Sequence, residues 1–184
     1  MKTQPTRTQR IIVACAVALA VMQLGPWFMQ QFSAERISAE AMEARLEQIQ
    51  PLDDAALTGL LAPKAQPSLL FVYASWCPYC RKQAPVMEQL ARDFEGQLNI
   101  IPISIDEDPE KLAAYLQRSG FALETLRVAE QDYLPFRRAL ATTGSQFTGG
   151  IPHSVLLGTD GKLMDEVSGH VEYTTFKSAL EKAL

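Results

Sequence analysis

An unbroken apolar run, Leu69-Leu70-Phe71-Val72-Tyr73, passes through Ala74-Ser75 into Trp76-Cys77-Pro78-Tyr79-Cys80 and then into a helical pattern. A short run with no polar alternation predicts a strand buried on both faces. A strand that feeds straight into a helix is half of an α/β unit. The two cysteines fall at the start of that helix, where unpaired backbone N–H groups and the positive end of the helix dipole favour a thiolate. Thiols in such places are nucleophilic at neutral pH. The junction therefore constrains both the fold and the chemistry.

Cysteine spacing alone leaves metal binding open. A structural zinc site needs four ligands. The other candidates are Cys15, in an apolar stretch, and the distant His153 and His170, so the ligand count fails. A purely structural disulfide is disfavoured for another reason, since closing a loop of two intervening residues removes little chain entropy. Cys77 and Cys80 read as a redox-active pair that opens and closes a disulfide, with Cys77 as attacker and Cys80, one turn further in, as resolving thiol. No cofactor and no metal are expected.

With 47% hydrophobic and 21% charged residues, the 184-residue chain has a globular composition. Seventeen basic residues face 21 acidic ones, with no basic stretch in the presumed domain, so nucleic-acid binding has no electrostatic support. Lys2, Arg7 and Arg10 precede 19 uncharged residues, 11–29. That is enough to cross ~30 Å of hydrocarbon at about 1.5 Å per residue. Ala-x-Ala triplets at 16–18 and 18–20 lie inside the apolar run, which favours a retained anchor over a cleaved signal peptide and a soluble periplasmic protein. The basic flank stays in the cytoplasm. The expected organisation is a cytoplasmic N-terminus at 1–10, a transmembrane anchor at 11–29, a juxtamembrane helical spacer and lead-in at 30–67, and the catalytic domain at 68–184. That domain would sit in the bacterial periplasm, where secreted proteins carry disulfides.

Met42, Leu46 and Ile49 predict one face of a polar helix over 33–50, stopped by Pro51. Asp53 or Asp54 caps a short helix ending near Leu61. Strands are expected at 68–73, 98–105, 123–128, 154–157 and 162–167. Helices are expected at 77–94, with Gly96 as C-cap and a kink at Pro85, then from Asp108-Pro109 to Gly120, at 133–141, and at 174–184. Asp160-Gly161 marks a hairpin. This order predicts an α/β three-layer sandwich, a central mixed sheet with flanking helices, preceded by one transmembrane helix.

From about Ser68 to Leu184 the chain resembles the thioredoxin-fold, membrane-anchored TlpA/ResA-like thiol:disulfide oxidoreductases. The resemblance rests on Trp76-Cys77-Pro78-Tyr79-Cys80, Pro85, Ile151-Pro152 before a strand, the Asp160-Gly161 hairpin and Gly169 before the last helix. It implies a cis Pro152 facing the disulfide, with Trp76, Pro78, Tyr79 and Ile151 supporting the active site. It also implies extracytoplasmic protein thiols and disulfides as partners, cytochrome c maturation partners among them, and a transmembrane electron donor.

The chain departs from the family in two places. Many thioredoxins carry a buried acid six residues before the first cysteine, where this chain has Phe71. Some TlpA-like proteins carry a glutamate three residues after the second cysteine, where this chain has Gln83. With no carboxylate at either place, the Cys80 proton is left to water, to a backbone-tuned equilibrium, or to Glu88 a turn further on. His153 reads either as a polar rim residue or as a group that tunes Cys77 or contacts substrate. His170 reads as a surface residue. The alternatives to a reductase are a net oxidant or isomerase and, from another class, a copper-binding or docking module using Cys77, Cys80 and His153.

Overall fold

The computed structural model describes residues 39–184, so the anchor expected at 11–29 lies outside the described residues. Among the described residues no helix is long and apolar enough to cross a membrane. Of the two units into which the chain divides, Met1–Ala41 and Met42–Leu184, the second carries the sheet and the cysteine pair. In chain order the elements are α1 (helical at 39–47), β1 (Ile49–Pro51), α2 (Asp54–Leu61), β2 (Ser68–Tyr73), α3 (Pro78–Asp93), β3 (Asn99–Ser104) and α4 (Pro109–Ser119). There follow β4 (Thr125–Arg127), a 3-10 turn at Glu130–Asp132, α5 (Tyr133–Thr143), β5 (His153–Leu157), β6 (Leu163–Ser168) and α6 (Tyr173–Ala183).

One six-stranded mixed sheet runs in the order β1-β4-β3-β2-β5-β6. β2 lies inside it, parallel to β3 and antiparallel to β5, which explains its unbroken apolar sequence. Its side chains alternate between two cores. Leu69, Phe71 and Tyr73 join Ala84, Met87 and Leu90 of α3 and Phe176 and Leu180 of α6. Leu70 and Val72 join Leu57 and Leu60 of α2 and Phe136 and Leu140 of α5. Each fully buried side chain of this size contributes about 1.5–3 kcal/mol. The expected three-layer sandwich is therefore the observed one.

Local signals set most boundaries. Asp53 caps α2 by accepting the Ala56 N–H, and Asp108 caps α4 by accepting those of Glu110 and Lys111. Gly120 ends α4 at φ +69. α3 runs through Pro85 as a single helix and ends at Phe94, two residues before Gly96. In the β5–β6 hairpin, Gly161 has φ +75, and a Cβ there would collide with the Leu61 carbonyl oxygen.

The start of the domain differs from expectation. The helix expected over 33–50 gives way at Gln48, and Ile49–Pro51 pairs in parallel with Thr125–Arg127. The boundary expected at 68 therefore falls inside the folded unit, because β1 and α2 belong to it. A three-residue edge strand is too short to show alternation, and an edge tolerates Pro51's missing N–H.

Candidate active site

β2 ends at Tyr73, and the chain turns through Ala74-Ser75-Trp76 onto the first turn of α3. Cys77 is the N-cap residue, and its Sγ accepts the Cys80 backbone N–H at 3.3 Å. Pro78 follows at the first helical position, where a missing N–H costs nothing. Both cysteines are free thiols. Cys77 is 5% exposed and Cys80 is fully buried, whereas Trp76 and Tyr79 beside them are 62% and 61% exposed. The helix start thus presents one sulfur near the surface and holds the second beneath it, while the neighbouring side chains of Trp76 and Tyr79 stand exposed.

The other wall is the loop before β5. Ile151–Pro152 is a cis peptide bond, and the Ile151 carbonyl accepts the Cys77 thiol at 3.8 Å. The Pro152 carbonyl accepts the Gly169 N–H at 2.8 Å, which ties this loop to the end of β6. The Ile151 carbonyl is therefore brought to the Cys77 sulfur, and the peptide bond that follows it is cis, the form the resemblance implied for Pro152.

Burial pushes the Cys80 thiol well above the ordinary thiol range. Its hydrogen bond with Cys77 and the negative charge of Asp106 act in the same direction, against a backbone hydrogen bond with Ala74. Asp106 is the residue that sequence reasoning missed. It is 2% exposed at the end of β3, and its carboxylate accepts the Ser75 N–H at 2.8 Å, the Ser75 hydroxyl at 2.6 Å and the Ser104 hydroxyl at 2.7 Å. Arg81 Nε donates to the Ser75 carbonyl at 2.6 Å. Both backbone groups of Ser75 are thereby fixed, and with them the turn that delivers Cys77.

At the two family acid positions, Phe71 stacks on Tyr73 with centroids 5.1 Å apart, and Gln83 is 1% exposed. Glu88 does not serve Cys80. Its carboxylate is turned to the loop after α4, where it accepts the Ala122 N–H at 2.7 Å. His170 is not a simple surface residue, because its Nδ1 lies 2.8 Å from Gln83 Oε1.

His153 pairs with Val72 in the sheet, and its ring lies 5.0 Å from that of Phe147. This places it on the α5 face, away from the core that contains Cys77 and Cys80. Both ring nitrogens are engaged, Nδ1 with Ser168 Oγ at 2.7 Å and Nε2 with Glu166 at 3.1 Å. Burial pushes the Glu166 carboxyl up, but hydrogen bonds from Ser145, the Gln146 N–H and His153 outweigh it and hold the group below its usual range. Among the described residues no three His, Cys, Asp or Glu side chains are grouped to hold a metal ion. The copper set of Cys77, Cys80 and His153 is thus not assembled, because successive residues of a strand point to opposite faces.

A mixed sheet sandwiched by helices, with a Cys-x-x-Cys pair at a helix start opposite a cis-proline loop, defines a thiol:disulfide oxidoreductase of thioredoxin fold. A family model described as thioredoxin-like matches residues 66–163. The thiol:disulfide interchange protein CycY of Rhizobium leguminosarum is 31% identical over 156 residues, covering 83% of this chain and 75% of the relative. The chain belongs to the thioredoxin-like family. Among solved structures, a thioredoxin-family thiol:disulfide interchange protein from Chlorobium tepidum superposes with TM-score 0.56 at 20% identity, over 68% of this chain and 83% of that one. StoA from Bacillus subtilis does so with TM-score 0.51 at 16% identity, over 62% and 82%. These two share the fold.

Proposed function

We propose that this protein is tethered to the bacterial inner membrane through residues 11–29 and reduces disulfides of extracytoplasmic proteins. Cys77 is the attacking thiolate, Cys80 the resolving thiol, and the loop at Ile151–Pro152 the backbone docking element. One observation carries the assignment: the Cys77 sulfur caps α3 and accepts the Cys80 N–H, while Cys80 is sealed beneath it. The Cys77 thiolate attacks a substrate disulfide and forms a mixed disulfide. Cys80 then attacks Cys77 Sγ, and the substrate leaves as a dithiol while the protein closes its own disulfide. A membrane partner supplies the electrons that reopen it. The basic-flanked apolar run supports the tether, and the likeness to a protein named for thiol:disulfide interchange supports the substrate class.

Trapping tests the roles. Cys80→Ser accumulates mixed disulfides through Cys77, whereas Cys77→Ser accumulates few. Equal trapping by both, or none by Cys80→Ser, refutes the assignment. The midpoint potential tests the direction of flow. A value near thioredoxin's ~−270 mV supports a reductase, and one near ~−120 mV an oxidant. The tether predicts retention of the full chain in the membrane fraction through alkaline carbonate washing, and release of a soluble form refutes it.

A further inference from the structure

We propose that Glu166 is a positioning residue for this reaction: from β6 it braces the loop at 144–152 and so holds the Ile151 carbonyl against the Cys77 sulfur. The inference rests on Cys77 being the attacking thiol. The loop joins the end of α5 to the start of β5 and has little to hold it by itself. Among the described residues, 145–151 make no hydrogen bond between backbone groups. Buried backbone donors in such a segment have to be met by side chains. Glu166 supplies the acceptors. One carboxylate oxygen accepts the Gln146 N–H at 2.8 Å, and the other accepts the Ser145 hydroxyl at 2.7 Å. Ser145 Oγ in turn accepts the Phe147 N–H at 3.2 Å. Ser145 and Phe147 are each 6% exposed, so little water is at hand to replace these bonds.

The far end of the loop is pinned to the same strand. An ionised carboxylate can only accept, so His153 donates to Glu166 from Nε2, at 3.1 Å, while its Nδ1 meets Ser168 Oγ. The Gly169 N–H, just past β6, holds the Pro152 carbonyl. β6 therefore grips the loop at both ends, and Glu166 joins the two grips through three donors. Hydrogen bonds to a charged group are roughly twice as strong as neutral ones. Between the grips, Gly149 lies at φ +115, where a Cβ would come within 2.8 Å of the Tyr133 hydroxyl on α5. Two residues on, the Ile151 carbonyl accepts the Cys77 thiol at 3.8 Å. That bond favours the protonated sulfur over the thiolate. The position of the loop thus sets how readily Cys77 ionises before it attacks. Glu166 bonds to neither sulfur and acts through the loop.

The test uses the reduced full chain carrying Cys15→Ser, alkylated with iodoacetamide across pH and mapped by mass spectrometry. Glu166→Leu removes the brace and leaves the Cys77 sulfur to water. Its alkylation midpoint should fall by about 0.4–1 pH unit, the equivalent of one ordinary hydrogen bond. Glu166→Gln loses the charge but keeps an acceptor oxygen, and should shift the midpoint by less than half as much. Ser145→Ala keeps the charge, loses one bond of the brace, and should shift it in the same direction. Asp53→Ala, which uncaps α2, should lower stability in urea and leave the midpoint in place. A midpoint that is unchanged or raised in Glu166→Leu or Ser145→Ala overturns the proposal. So does a shift in Glu166→Gln equal to that in Glu166→Leu, or a matching shift in Asp53→Ala. Alkylation of Cys80 ahead of Cys77 in the parent chain overturns the role of Cys77 instead.

Discussion

Replacing Asp106 by alanine isolates the contribution of the buried carboxylate that shapes the turn before Cys77. Three donors lose their acceptor: the Ser75 N–H at 2.8 Å, the Ser75 hydroxyl at 2.6 Å and the Ser104 hydroxyl at 2.7 Å. The two hydroxyls can rotate to other acceptors, but the N–H of a 5% exposed residue cannot. Hydrogen bonds to a charged group are worth about 1.5–3 kcal/mol each, and a stranded buried donor costs about 1–3 kcal/mol. Allowing for the relief of no longer burying a charge, the net loss should be about 3–5 kcal/mol, a large part of the ~5–15 kcal/mol available to a domain. At about 2–4 °C per kcal/mol for this size, the melting temperature should fall by about 10 °C. Asp106→Asn separates the bonds from the charge. Its oxygen can still accept from Ser75 N–H and Ser104, and its amide can donate to Ser75 Oγ, so it should cost less than half as much. Thermal and urea unfolding of the reduced protein, followed by circular dichroism, measures both variants. An alanine variant within about 1 kcal/mol of the parent, or an asparagine variant as costly as alanine, would refute the account.

Three further outcomes follow from the same geometry. The folded Cys80 thiol keeps its proton where the unfolded one gives it up, so the reduced protein should lose stability as pH rises above ~8.5, by about 1.4 kcal/mol per pH unit. Cys80→Ser should remove that slope in urea titrations between about pH 8.5 and 10, the range from the free thiol's pKa to tyrosine's. His153→Ala strips the partners from Ser168 and Glu166 and should cost ~1–3 kcal/mol. It should also shrink the stability lost on acidification, because the depressed Glu166 stabilises the fold above its unfolded value of ~4.3 and loses that contribution as pH falls through the folded value. Gly161→Ala combines φ +75 with a collision against Leu61 and should destabilise by more than ~1 kcal/mol in the same assay.

What the sequence made legible is what short-range chemistry decides. The Cys-x-x-Cys at the helix start, the Asp53 and Asp108 caps and the Asp160-Gly161 hairpin are all encoded within a few residues, and all stand where expected. Asp106 was hidden because it opens the acidic stretch Asp106-Glu107-Asp108-Pro109-Glu110, which reads as a solvated helix start. Its burial comes from the parallel pairing of β2 with β3, which sets Tyr73 opposite Ser104 and so brings Ser75 to Asp106. No local pattern carries that register.

His153 shows the same limit more sharply. Adjacency to Pro152 suggested a place beside the sulfurs, but along a strand each step of one residue reverses the side chain's direction. The Ile151 carbonyl meets the Cys77 thiol, and pairing with Val72 then commits the His153 side chain to the α5 face. The histidine that does reach the helix of the cysteines is His170, 17 positions further on in the sequence. It arrives there because Gly169, bonded to the Pro152 carbonyl, holds the end of β6 against the active-site loop. From that point His170 Nδ1 and the Val171 N–H both meet the side-chain oxygen of Gln83, on the buried face of α3.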